Sequence, residues 1–116
     1  MEIKLIKKPA PISEIAALAQ EQFGDMIKAV VDIEREIVAV GGELHSDEEA
    51  ILLEDGSKQE YLWGINIYPD KPLPDQIEFD SMINIRPSLN NRSRGVENPE
   101  IQARILSVVK KLITPQ

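Results

Sequence analysis

Residues 2 to 6, Glu-Ile-Lys-Leu-Ile, alternate polar and apolar side chains and end at Lys7-Lys8-Pro9, which predicts a short opening strand. Ser13 then reads as a helix N-cap with Ile12 at the staple position before it. Ile15, Leu18, Ala19 and Phe23 recur at helical spacing, and Gly24 supplies the stop. The segment from Lys28 to Val40 fits two periods, because Ala29, Ile33, Ile37 and Val40 also fall on one helical face. Its β-branched residues, Val30, Val31, Ile33, Ile37, Val38 and Val40, favour two strands, 28–34 and 37–44, turning near Glu34-Arg35-Glu36. Gly41-Gly42 then suits a bulge or a close approach of two backbones.

Ser46-Asp47-Glu48-Glu49 has the spacing of a capping box ahead of Ala50, Ile51, Leu52 and Leu53, and Asp55-Gly56 ends the run, so a short helix is expected there. Residues 61–68 read as a strand. The stretch 69–76 carries three prolines and must be a connection, since proline cannot donate to a sheet ladder. Residues 77–86 alternate most clearly of all and predict a strand ending at Pro87. Asn98 as N-cap, Pro99 at the first helical position and Ile101, Ile105, Val108 and Leu112 at helical spacing predict a C-terminal helix. The order β-α-β-β-α-β-β-α describes a single α+β domain over residues 1–116, with a mainly antiparallel sheet of about five strands and helices packed on one face.

Strand alternation sorts the residues onto two faces before the strand order is known. One face gathers Ala29, Val31, Ile33, Val38, Val40, Leu44, Trp63, Ile65, Ile67, Phe79, Ile83 and Ile85, and is expected to carry the helices. The other gathers Lys28, Asp32, Glu34, Glu43, His45, Asn66, Tyr68, Glu78, Asp80, Asn84 and Arg86, and is expected to be wet. Asparagine is depleted in strands, so Asn66 and Asn84 on that face suggest side chains kept for their hydrogen bonds.

Composition narrows the function classes. The 116 residues, 42% of them hydrophobic, suffice for one core. There is no cysteine, which excludes disulfides, thiolate zinc sites and cysteine nucleophiles. No apolar run approaches membrane-spanning length and the N-terminus lacks a signal-peptide core, so a cytoplasmic protein is expected. Twenty Asp and Glu against thirteen Lys and Arg give a net charge of -7, which repels a phosphate backbone and makes nucleic acid a poor partner. No Gly-rich phosphate loop or nucleophile elbow is present.

Three constellations could carry chemistry. His45, the only histidine, has Glu43 and Asp47 beside it, hard ligands that could converge on a divalent cation, although no second histidine or zinc-hydrolase spacing supports them. Glu78 and Asp80, two apart on one strand face, have the separation of paired acids, and with His45 they form the candidate catalytic set of a small hydrolase, with or without a metal. Against these stand ordinary roles: charge at a helix N-terminus for Asp47, cross-strand ion pairs for Glu78 and Asp80.

The third is the segment from Ile83 to Gly95, which contains three arginines and no acid. Arg86, Arg92 and Arg94 offer guanidinium forks, and Asn90-Asn91 can turn backbone N–H groups inward. Together with Asn84, Asn66 and Asn91 they would form a site for a small anion or an acidic partner segment, unless the arginines pair with the chain's own carboxylates. A binding module is therefore the leading expectation, with a hydrolase or a homodimer surface as alternatives.

Several blocks carry a resemblance: Gly41-Gly-Glu-Leu-His-Ser-Asp-Glu48, Leu53-Glu-Asp-Gly-Ser57, Gln59-Glu-Tyr-Leu-Trp-Gly64, and Ile83-Asn-Ile-Arg-Pro87 followed by Asn91-Arg-Ser93. They resemble a family of small single-domain bacterial and archaeal proteins classed as a domain of unknown function. The likeness runs from about Gly24 to the last helix. It implies a stand-alone α+β protein and assigns no catalytic residue, cofactor or ligand.

Overall fold

A computed structural model describes residues 2–72 and 74–115. At its centre β3 (Ile27–Asp32) pairs antiparallel with β4 (Ile37–Val40) on one side and β5 (Leu62–Ile67) on the other. The β3–β4 turn is locked locally. Asp32 Oδ1 accepts the N–H groups of Glu34 and Arg35, both at 2.9 Å, and Glu36 takes a φ of 57° to bring the chain back. The opening strand β1 (Lys4–Ile6) adds to β4, and a two-residue β6 (Ile77–Glu78) adds to β5, giving an antiparallel sheet of order β1-β4-β3-β5-β6. A two-residue parallel clasp, β2 (Ala10–Pro11) with β7 (Ile113–Thr114), ties the two ends of the chain together.

The helices α1 (Ile12–Gln22) and α3 (Pro99–Leu112) cover one face. Ile15 and Ala19 of α1 and Ile105, Val108, Val109 and Leu112 of α3 pack on Ala29, Val31, Val38, Val40, Trp63, Ile65 and Ile67, the face the alternation assigned to the core. The α+β class, the antiparallel sheet and α3 with its Asn98 cap agree with the sequence reading; Asn98 Oδ1 accepts the N–H of Glu100 at 2.8 Å.

The layering differs. The short helix α2 (His45–Glu54) lies on the opposite face, where Leu52 closes over Val30, Ile37, Ala39 and Leu62, with Ile3, Leu5 and Ile83 at the margin. The helices are thus not confined to one face, and the domain has three layers. The cause is in the strands: Val30, Ala39 and Leu62 occupy the positions between the assigned core residues, so the inner strands are apolar on both sides and need cover on both. Asp32, expected to be wet, is fully buried, whereas Leu44 and Ile85, expected in the core, are exposed.

Three boundaries also move. β4 stops at Val40 and not at residue 44, because Gly41 turns with φ +99° and passes so close to the chain just before β1 that a Cβ there would stand 2.9 Å from the Glu2 carbonyl oxygen. Helix α2 is capped at Leu44 and starts at His45, ahead of Ser46, and α1 is capped at Pro11, ahead of Ser13. The largest departure is the predicted strand 77–86. Only Ile77 and Glu78 pair with β5; the chain then leaves the sheet through two 3₁₀ turns, Met82–Asn84 and Pro87–Leu89.

A side chain does the missing strand's work. Asn84 Oδ1 accepts the Gly64 N–H at 2.8 Å and its Nδ2 donates to the Gly64 carbonyl at 3.0 Å, so one amide satisfies the edge of β5 as a ladder partner would. The fit depends on glycine: a Cβ on Gly64 would stand 2.5 Å from the Ser81 side chain.

Candidate functional site

The arginines of the 83–95 segment are anchored in different places. Arg86 donates from Nη1 to the Gln59 carbonyl and from Nη2 to the Leu62 carbonyl, and its guanidinium lies over the Trp63 ring, 4.4 Å from the centroid. Burial pulls its pKa down, with Glu49 opposing. Arg94 Nε meets Asp80 Oδ1 at 2.7 Å. Arg92 is exposed, while its backbone N–H and that of Ser93 donate to Glu97 Oε2 at 2.9 and 2.8 Å. Those bonds, with the Ser93 hydroxyl first among them, hold the Glu97 carboxyl below the usual carboxylate range.

The asparagines are equally engaged. Asn91 donates to the carbonyls of Asn84 at 2.7 Å and Gly95 at 2.8 Å and accepts the Glu97 N–H at 2.9 Å, so it is the hub of its loop. Asn84 also donates to the Arg94 carbonyl. Asn66 donates to Glu78 Oε1 at 2.8 Å, and Tyr68 donates to the same oxygen at 3.1 Å. Five of the six residues expected to bind an anion thus make polar side-chain bonds within the chain; Arg92 and Arg94 are exposed, and Arg94 is paired with Asp80.

Glu78 and Asp80 do not share one strand face, because the strand ends at Glu78; each has its own partner, Asn66 with Tyr68 for the first and Arg94 for the second. His45 opens α2 and is buried, its Nε2 2.8 Å from the Ile65 carbonyl. An imidazole bonded to a carbonyl must carry its proton on that nitrogen, and burial depresses its pKa, so the ring is held neutral. Glu43 and Asp47 are exposed. Among the described residues no group of three His, Asp or Glu side chains is gathered to hold a metal.

One buried acid escaped the pattern. Glu48 of α2 is fully buried; its Oε2 accepts the Gly42 N–H at 2.9 Å and its Oε1 has no hydrogen-bond partner among the described residues. Burial pushes its pKa up to about 9, so the carboxyl is protonated at neutral pH. Gly42 makes the room: a Cβ there would stand 2.8 Å from the Glu48 Cγ. The signal lay in the spacing of His45, Glu48 and Leu52, which is one face of a helix.

A concavity lies elsewhere. The connection after β5 and the chain after β6 stand away from α3 and leave a groove of about 710 Å³. Ile77 and Phe79 form one wall, Leu106 and Val109 of α3 the other, and Ile12, Pro69, Pro74, Ile113 and Pro115 its ends and rim. Polar groups are a minority there: Gln76, Gln102, Lys110 and Thr114. Gln102 donates to the Val96 carbonyl at 2.6 Å and Gln76 to the Lys71 carbonyl at 3.2 Å, so both amides are held in place. This groove was invisible in the sequence because its walls come from three separate stretches.

The family described as Protein of unknown function (DUF5674) matches residues 4–112. The chain belongs to the DUF5674 family. No curated protein and no solved structure matches it. The DUF5674 match runs from the first strand to the last residue of α3. It therefore contains the polar network, Glu48 and both long walls of the groove, and leaves only Ile113, Thr114 and Pro115 of the groove outside. No helix among the described residues is long and apolar enough to cross a membrane.

Proposed function

We propose that this DUF5674 protein is a small-molecule binding domain whose ligand lies in the groove between α3 and the connection 69–79. The observation that carries this reading is the groove itself. Its volume of about 710 Å³ is that of a pocket for a small organic ligand, its walls are apolar, and a few fixed polar groups stand among them. The binding class expected from the sequence is kept, but the site moves from the polar sheet face to the far side of α3. What supports the move is the use of Arg86, Asn84 and Asn91 inside the fold, where each offers its hydrogen bonds to backbone groups.

The test is amide-resolved NMR with a library of small aromatic and aliphatic compounds. Binders should shift resonances around Phe79, Leu106, Val109 and Ile113, and Leu106→Trp, which fills the groove from the α3 side, should abolish those shifts while leaving the rest of the spectrum folded. Shifts scattered over the sheet face, or unchanged by Leu106→Trp, would count against the groove.

A further inference from the structure

We infer that the groove's ligand is an amphiphile with an apolar body and a single carboxylate, the carboxylate held by Lys110. The inference rests on the groove being a binding site and adds the chemistry of what it takes. Along α3 the groove is lined by Gln102, Leu106, Val109 and Lys110, a stripe on one side of the helix. At the α-helical rise, Gln102 and Lys110 stand roughly 12 Å apart. Leu106 and Val109 fill the interval, so the stripe has an amide at one end, apolar surface in the middle and an ammonium at the other.

Charge selects which end group fits. Among the described residues six cations lie within 4.0 Å of a carboxylate: Lys4, Lys7, Arg35, Arg94, Arg104 and Lys111. Lys111, next to Lys110, is taken by Glu36. Lys110 has no such carboxylate among the described residues, so a cation without an ion-pair partner in the fold borders the apolar groove. A net charge of -7 repels a polyanion at long range, whereas one carboxylate at Lys110 gains a local partner against that field. The rest of such a ligand gains by leaving water for the walls of Leu106, Val109, Ile77 and Phe79.

Octanoate and 1-octanol separate the two claims, since they share an apolar body and differ in the charged end. Affinities come from NMR titration of the groove resonances in the intact protein, in Lys110→Met and in Leu106→Trp. Lys110 is exposed, so its replacement leaves the fold intact. Octanoate should bind several-fold more weakly to Lys110→Met, 1-octanol should bind both proteins alike, and Leu106→Trp should lose both ligands. If 1-octanol binds in the groove and octanoate is indifferent to Lys110→Met, or if both ligands weaken equally, the carboxylate assignment is overturned while the groove stands. If neither ligand moves the groove resonances, both fall.

Discussion

Glu48 and His45 sit one turn apart on the sheet-facing side of α2, and each is buried in the form that carries no charge. Their pH effects run in opposite directions. A carboxyl whose folded pKa is about 9 holds its proton more tightly than in the unfolded chain, where 4.5 is normal. The stability it contributes is whole below pH 4.5 and is lost as pH rises toward 9. His45, with its pKa depressed, contributes stability that is present above the unfolded value of 6.5 and is lost as pH falls below it. Glu48→Gln keeps the shape and the acceptor for the Gly42 N–H but has no proton to lose. The variant should therefore gain on the parent as pH rises from 5 to 9, by at most about 1.4 kcal/mol per pH unit, and keep the fall on the acid side. Urea denaturation at a series of pH values measures this, and a constant offset between the two proteins would contradict it.

At the scale of elements, the sequence carried a large part of the answer. The N-cap and proline at Asn98-Pro99 and the spacing of Ile105, Val108 and Leu112 were enough for α3, and β-branching resolved 28–40 into strands because the core needs both faces filled. It failed at 77–86. Alternation there marks which side chains turn toward β5, and Asn84 does turn toward β5, but it does so with its own amide in place of a backbone ladder. Period cannot distinguish a strand from a chain that satisfies its neighbour through side chains. The candidate site met the same limit: Arg86, Asn84 and Asn91 were expected to hold an anion, and residue type alone did not show that their side chains have carbonyls and N–H groups of the chain as partners. The tight meeting at Gly64 gives a direct test. Gly64→Ala should cost about 1–3 kcal/mol through overpacking against Ser81. Combining it with Ser81→Gly should recover part of that loss, and a double-mutant cycle in urea with no coupling would show that the two residues do not meet.

For the whole molecule, the decisive fact is that one sheet carries two separate apolar layers, α1 with α3 on one side and α2 on the other. Because β3, β4 and β5 face both layers, neither can be lost without removing the support of the other. Leu52→Ala, which empties the smaller layer, should destabilise the protein by about 2–5 kcal/mol. The loss should appear as one transition in which Trp63 fluorescence, reporting the opposite layer, and far-ultraviolet circular dichroism move together. Two separated transitions would mean that α2 melts on its own. The same arrangement explains where a ligand can be received. The sheet faces are occupied by helices, and the groove proposed for the ligand lies beside α3, against Pro69, Pro74 and Ile77.

The amide of Asn84 against Gly64 has a further effect beyond the single chain. A strand edge with free N–H and carbonyl groups recruits any extended polypeptide that meets it, including another copy of itself, and leads toward aggregates. Beyond the two residues paired with β6, β5 would offer such an edge in one of the most apolar strands of the molecule. A plug of two hydrogen bonds, too short and too irregular to be extended by a neighbour, closes that stretch of the β5 edge.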